Sequence, residues 1–137
     1  MKTLTFTQQV YPCHIDFMRH VSNITFIEWM EVGRCKLLDA VGMPVTEIAE
    51  QGFGPVLVRT EIDYKQQLFL GEEVHISLWI SEMTRVTAWM NFEFRNQNEE
   101  LIARGKQRGL FISFDTHRPR ALSEQEYDQF AEYLHAS

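Results

Sequence analysis

The sequence predicts an α+β fold in which an antiparallel β-sheet wraps one long central helix, with a further helix at the C-terminus. Two observations carry this prediction. Between Asn23 and Val41 apolar residues recur at helical spacing and leave only a narrow polar stripe, so the helix has to be enclosed. From Val56 to Asp115, four segments alternate apolar and polar residues across short connections, the pattern of a sheet with one buried face. A chain of 137 residues can bury such a core without covalent staples, and it is expected to form one domain over 1–137.

Bulk composition narrows the class. Hydrophobic residues make up 45% and charged residues 23%, as in ordinary globular proteins. No apolar run reaches the roughly 18 residues of a membrane helix, and the opening MKTLTFTQQV alternates without a signal-peptide core, which points to a cytoplasmic protein that does not engage a membrane. Cys13 and Cys35 are too few for a disulfide framework or a zinc site, so reduced thiols, no metal and no cofactor are expected. A formal charge of -6 argues against a nucleic-acid partner, while leaving room for a local basic strip that holds a phosphorylated ligand.

The elements follow in order. Leu4, Phe6, Gln8 and Val10 alternate with Thr5, Thr7 and Gln9 as a strand, and Pro12 places it at an edge or bends it. Asp16 to Ser22 fits neither periodicity and reads as a polar turn. In the helix that follows, Ser22 or Asn23 is the N-cap, and Gly42 with Pro44 is the stop. At about 100° per residue, Thr25, Glu28, Lys36 and Asp39 form the polar stripe. Arg34 instead points into the apolar side, where an unpaired charge is costly and a partner or ligand is required. A short helix over Thr46–Gln51, capped by Thr46 and ended by Gly52, leads to a turn at Phe53-Gly54-Pro55. Strands then run from Val56, from Gly71-Glu72, from Val86 and from Leu101, the last two joined by a hairpin at Asn96-Gln97-Asn98. Four consecutive strands with short connections predict an antiparallel meander. Tyr127, Phe130, Ala131 and Leu134 are at helical spacing in the tail, which is expected to lie on an outer surface.

That order suits a hotdog fold, although order alone does not single it out. The residues Asp16, His20, Val21, Asn23, Phe26, Trp29, Glu31 and Arg34 resemble the signature of the hotdog acyl-CoA thioesterases of the 4-hydroxybenzoyl-CoA thioesterase type. Gly71-Glu72-Glu73-Val74 resembles that family's turn into its third strand, and Thr116-His117-Arg118-Pro119 its exit from the last one. Arg19 and Ser22 stand where the family usually has Gly and Asn.

Thioester hydrolysis needs a nucleophile or base and a place for negative charge on oxygen. The first turn of a helix offers unpaired N–H groups at a positive end, and the Asn23 backbone is the candidate donor. Asp16 is the candidate catalytic carboxylate, as nucleophile through a mixed anhydride or as general base on water. His20 orders the turn or positions the water or thioester, against an ordinary structural histidine. Each has a simpler reading: Asp16 as a turn carboxylate, the Asn23 side chain as a helix cap. Glu31 and Arg34 read as a structural i,i+3 pair, and Trp29 and Met30 as core or acyl-pocket wall. Cys13 with His14 is rejected as a nucleophilic pair, because neighbours on a strand face opposite ways. A metal on His14, Asp16 and His20 has no supporting spacing.

Arg104, Lys106 and Arg108 share one face of the last strand and read as a solvated outer face or as a strip for coenzyme A phosphates or an acidic acyl carrier protein. The resemblance implies a homodimer or homotetramer in which two sheets join, with Phe53, Gly54 and Pro55 of one chain lining the acyl pocket of the other. Two functions follow: an acyl-CoA or acyl-carrier-protein thioesterase, or a non-catalytic binding protein for the same ligands. A dehydratase ranks below both, for want of a paired His and carboxylate at the spacing such enzymes use.

Overall fold

The structure is a computed structural model that describes residues 1–135. The last two residues of the expected 1–137 unit lie outside the described residues. The strands are β1 (Leu4–Gln9), β2 (Phe53–Tyr64), β3 (Glu73–Met83), β4 (Thr87–Asn96), β5 (Leu101–Ser113) and the short β6 (Pro119–Arg120). The helices are α1 (Asn23–Ala40), α2 (Val45–Glu50) and α3 (Glu124–Ala131). All strand pairings are antiparallel, in the order β1-β3-β4-β5-β2, with β6 on β5.

The meander is therefore shorter than the alternation predicts. It comprises β3, β4 and β5, whereas β2 pairs with β5 and forms the opposite edge from β1. The connection from β2 to β3 is the cause. The Lys65 and Gln66 N–H groups both donate to the Ile102 carbonyl on β5, Leu68 is buried, and the Leu68 carbonyl accepts from Val21 N–H ahead of α1. That segment crosses the end of the sheet instead of folding back as a hairpin. Phe53-Gly54-Pro55 also departs from expectation: these residues open β2, opposite Ser113, Ile112 and Phe111. A proline fits there because the outer edge of β2 needs no N–H for pairing within the chain.

α1 lies across the inner face of the sheet. Phe92, Phe94, Met30, Leu37, Ile76, Leu78, Ile80 and Ile102 are fully buried between them, each contributing on the order of 1.5–3 kcal/mol by leaving water. Gly33 permits the close approach, since a Cβ there would sit 3.1 Å from the Phe92 ring and 3.4 Å from Phe6. The polar stripe is displaced from the expected one. Thr25 is buried and its hydroxyl donates to the His14 carbonyl at 3.3 Å, while Ile24, Ile27 and Val32 are exposed by 68%, 44% and 42%. One sheet covers only one side of a cylinder, so apolar residues on the far side of the helix remain in solvent in a single chain.

Two smaller corrections concern α2 and the tail. Thr46 does not cap α2; Pro44 occupies the N-cap position without a side-chain bond. The tail closes the core rather than lying outside it. Phe130 and Tyr133 are buried, and Ile80 N–H donates to the Tyr133 carbonyl while His135 N–H donates to that of Ile80, alongside β3. No helix among the described residues is long and apolar enough to cross a membrane.

Candidate functional site

The turn before α1 is built on Asp16. Ile15 and Val21 form a bridge, Asp16 N–H donates to the His20 carbonyl at 3.1 Å, and Arg19 N–H donates to the Asp16 carbonyl at 3.0 Å. The Asp16 side chain shapes the turn from within, its Oδ1 accepting from Met18 N–H at 2.9 Å as Asp commonly does. Oδ2 has no hydrogen-bond partner among the described residues. The half-buried carboxylate thus has one oxygen committed to structure and one available. Arg19 has φ of +71°, in the left-handed region that favours glycine, so the sequence departure at this position falls where a side chain is strained.

Ser22 settles which residue caps the helix. Its Oγ accepts from Ile24 N–H at 3.2 Å and its carbonyl accepts from Thr25 N–H at 3.0 Å. Asn23 N–H has no hydrogen-bond partner among the described residues and belongs to an exposed residue at the positive end of an 18-residue helix. The position is held firmly: Ser22 N–H and the Thr25 hydroxyl both donate to the His14 carbonyl, and the Tyr64 hydroxyl donates to the Asn23 carbonyl at 3.4 Å. Burial raises the Tyr64 phenol pKa, which keeps it protonated as a donor. His20 Nδ1 is 3.2 Å from the Val21 carbonyl; with its proton on that nitrogen, Nε2 is the open ring atom. Asp16, His20 and Asn23 are therefore gathered in one turn and one helix start.

Other expected residues lie elsewhere. Phe53 is buried, edge-on to Phe111 and beneath the Arg120 guanidinium at 3.8 Å. Gly54 is buried where a Cβ would press on the Phe114 ring at 2.9 Å, and Pro55 is exposed. These residues begin β2, whereas Tyr64, at its far end, contacts Asn23. Eleven residues of strand separate the ends by roughly 36 Å, so within one chain Phe53, Gly54 and Pro55 do not meet the Asp16 turn. Arg104, Lys106 and Arg108 do share the outer face of β5 and are exposed. Their cross-strand neighbours temper the charge: Asp63 and Glu93 flank Arg104, Glu61 flanks Lys106, and Lys106 Nζ sits 4.7 Å over the Trp89 ring.

Cys13 and His14 lie in a 3-10 turn, Pro12–His14, not on a strand. His14 Nδ1 accepts from Tyr11 N–H and its ring packs edge-on to Trp29, a structural use that leaves it no part in a thiol pair. Among the described residues no cluster of three His, Cys, Asp or Glu could hold a metal. Arg34 finds a partner the helical periodicity did not name. Its Nη1 donates to Gln107 Oε1 at 2.6 Å, and Gln107 Nε2 donates to Thr60 Oγ1 at 3.2 Å, while Glu31 stays 4.0 Å away and exposed. Burial lowers the Arg34 pKa, partly opposed by Glu31, and raises that of the Cys35 thiol beside it, with Glu31 adding to the effect. A lone Gln among the small inward residues of β5, Ala103, Gly105 and Gly109, was the available signal.

Comparison with known proteins adds an independent line. The family model described as Thioesterase-like superfamily matches residues 10–130. YneP of Bacillus subtilis (strain 168), named provisionally as an acyl-CoA thioesterase, is 24% identical over 104 residues, covering 76% of this chain and 75% of its own. Among solved structures, a DHNA-CoA thioesterase from Staphylococcus aureus superposes with a TM-score of 0.89 at 20% identity, over 96% of this chain and 91% of that one. The S. aureus protein SAV2348, solved in complex with CoA, gives 0.88 at 20% identity, over 96% and 84%. At such identities the superpositions establish the fold, which is the hotdog fold.

Proposed function

The chain belongs to the thioesterase-like superfamily, and from that premise we propose that it is an acyl-CoA thioesterase whose chemistry is carried by the Asp16 turn and the start of α1. The observation that supports this most is that Asp16 Oδ2 and the Asn23 N–H, in one turn and the helix start it leads into, both lack a hydrogen-bond partner among the described residues. The thioester carbonyl oxygen sits against the Asn23 N–H, at the positive helix end, where the charge that develops on it is stabilised. Asp16 either attacks the carbonyl carbon or takes a proton from an attacking water. By the first route an acyl–Asp16 anhydride forms, the C–S bond breaks, and water then hydrolyses the anhydride. By the second, water adds directly and the same C–S bond breaks. Both give a carboxylic acid and a thiol. His20 Nε2 orients the water in this reading.

The working unit in this reading is a cytoplasmic homo-oligomer. The outer edge of β2 has no strand partner among the described residues, and Phe17 and Met18 in the turn and Ile24, Ile27 and Val32 on α1 expose apolar surface. Two β2 edges joined antiparallel place the Phe53 end of one strand beside the Tyr64 end of the other, which carries Phe53, Gly54 and Pro55 to the partner's turn as a wall for the acyl group. Arg104, Lys106 and Arg108 serve the phosphates of coenzyme A, or the acidic surface of an acyl carrier protein. The relative that acts on DHNA-CoA and the one solved with CoA agree with a coenzyme A thioester.

The test is thiol release from a panel of aliphatic and aromatic acyl-CoA thioesters, with Asp16→Asn as the control. At least one substrate should turn over, and the variant should lose activity on the order of 10²–10⁴-fold. A folded Asp16→Asn protein with normal turnover would remove Asp16 from the chemistry. A second reading, non-catalytic binding of the same ligands, draws on the strained, exposed Arg19 at the turn; saturable acyl-CoA binding without thiol release across the panel would decide for it.

A further inference from the structure

A cavity of about 350 Å³ lies along the C-terminal half of α1, between the start of β2 and the β3–β4 hairpin. Its walls are apolar, formed chiefly by Leu38, Met90, Leu110, Phe111 and Phe130, and its rim carries the exposed Glu31, Cys35, Pro55 and Thr84. One cation reaches into it. The Arg34 guanidinium lines the cavity, clamped from behind by Gln107, which is itself wholly buried and held by Thr60. A guanidinium has five N–H donors. Gln107 takes one, Glu31 stands at a long 4.0 Å with its carboxylate largely in solvent, and no buried side-chain nitrogen among the described residues lacks a partner. The other guanidinium nitrogens are therefore not sealed away unpaired, and Arg34 is the cation on the cavity lining.

An apolar chamber with one oriented cation selects for an amphiphile with an anionic head. A single planar fork matches a carboxylate, and Glu31 nearby disfavours a doubly charged group such as a phosphomonoester. The volume sets the size: at about 30 Å³ per heavy atom it accepts roughly twelve, those of a ten-carbon carboxylate. We propose that this cavity is a binding site for a medium-chain aliphatic carboxylate, with its head on Arg34 and its chain against Leu38, Met90, Phe111 and Phe130. Within one chain the cavity is separate from the Asp16 turn. Arg34 lies eleven residues along α1 from Asn23, roughly 16 Å.

The experiment is calorimetric titration of the intact protein with decanoate, decanol and acetate. Decanoate should bind once per chain, at least about tenfold more tightly than decanol, and acetate should not saturate. In the double variant Arg34→Met/Gln107→Met, which removes both polar partners together, decanoate and decanol should bind alike. Ala88→Phe, which fills the cavity from β4, should remove binding of both. On the unmodified protein, affinity across hexanoate to hexadecanoate should pass through a maximum near ten carbons. Equal affinity for decanoate and decanol in the parent, or a rise without a maximum through hexadecanoate, would overturn the proposal, as would decanoate binding undiminished by Ala88→Phe.

Discussion

The two ends of α1 handle polar groups in opposite ways. At the N-terminal end Asp16 keeps one carboxylate oxygen uncommitted, Asn23 keeps its N–H open, Arg19 sits in a strained conformation, and Phe17 and Met18 stand in solvent. Toward the C-terminal end Arg34 is tied through the wholly buried Gln107 to Thr60 by successive hydrogen bonds. Open polar groups are retained where chemistry uses them; buried ones are satisfied because leaving them unpaired costs stability. A change at the first end should therefore cost turnover with little stability, and a change at the second should cost stability first.

Asp16→Asn gives the largest expected separation. The amide oxygen can still accept from Met18 N–H, so the melting temperature should barely move while the rate of thiol release falls on the order of 10²–10⁴-fold. A large drop in melting temperature would mean that Asp16 belongs with the structural set. Next comes Arg34→Ala, which strands the Gln107 amide oxygen; denaturant titration should show a loss of about 1–3 kcal/mol. Arg34→Met/Gln107→Met should recover most of it, since no partner is left unpaired. If single and double variants are equally unstable, Arg34 acts through packing alone.

Ser22→Ala tests the boundary between the two behaviours. Loss of the bond from Ile24 N–H should cost about 1 kcal/mol of stability, and it frees a second N–H beside that of Asn23, so KM should change along with the melting temperature. Glu126 offers a purely structural control on α3. Burial favours its neutral form, but hydrogen bonds from Arg120 and from Ser123 outweigh this and leave its pKa lowered. A lowered folded-state pKa contributes stability that is present above the unfolded carboxylate pKa and lost as pH falls through the folded one. Glu126→Gln should flatten the acid limb of a stability–pH curve and leave turnover alone. The smallest effect belongs to Arg19→Gly. Relief of left-handed strain is offset by the greater freedom of glycine in the unfolded chain, for a net gain below about 1 kcal/mol. A loss instead would show that the Arg19 side chain makes a contact in the assembled protein.

Much of this was legible in the residues. The helix ends were readable because Ser22 and Gly42 act within a few residues of themselves; Ser22 accepts from Ile24 N–H, and Gly42 has φ of +76°. The Asp16 turn and the helix start it precedes were readable for the same reason. The position of β2 was not readable, because alternation says that a segment is a strand and nothing about its neighbour; the anchoring of Lys65 and Gln66 on Ile102 decides that. Phe53-Gly54-Pro55 looked like a turn by composition, yet an edge strand tolerates all three. Thr25 was assigned to the polar stripe by angle alone, and only the position of the His14 carbonyl brings it inside.

By itself, then, the sequence determined what depends on local chemistry: the long apolar helix, its cap and stop, the alternation of five strands, and the gathering of Asp16, His20 and Asn23 into one short segment. Tertiary structure alone decided what depends on contacts between residues far apart. It placed β2 on β5, turned the tail into a lid over the core, set Gln107 rather than Glu31 beneath Arg34, and left a cavity where α1, β2 and the β3–β4 hairpin fail to close. Periodicity assigns a residue to a face; which residue meets it across that face depends on strand order and register, and those were settled by the crossing of a single connection.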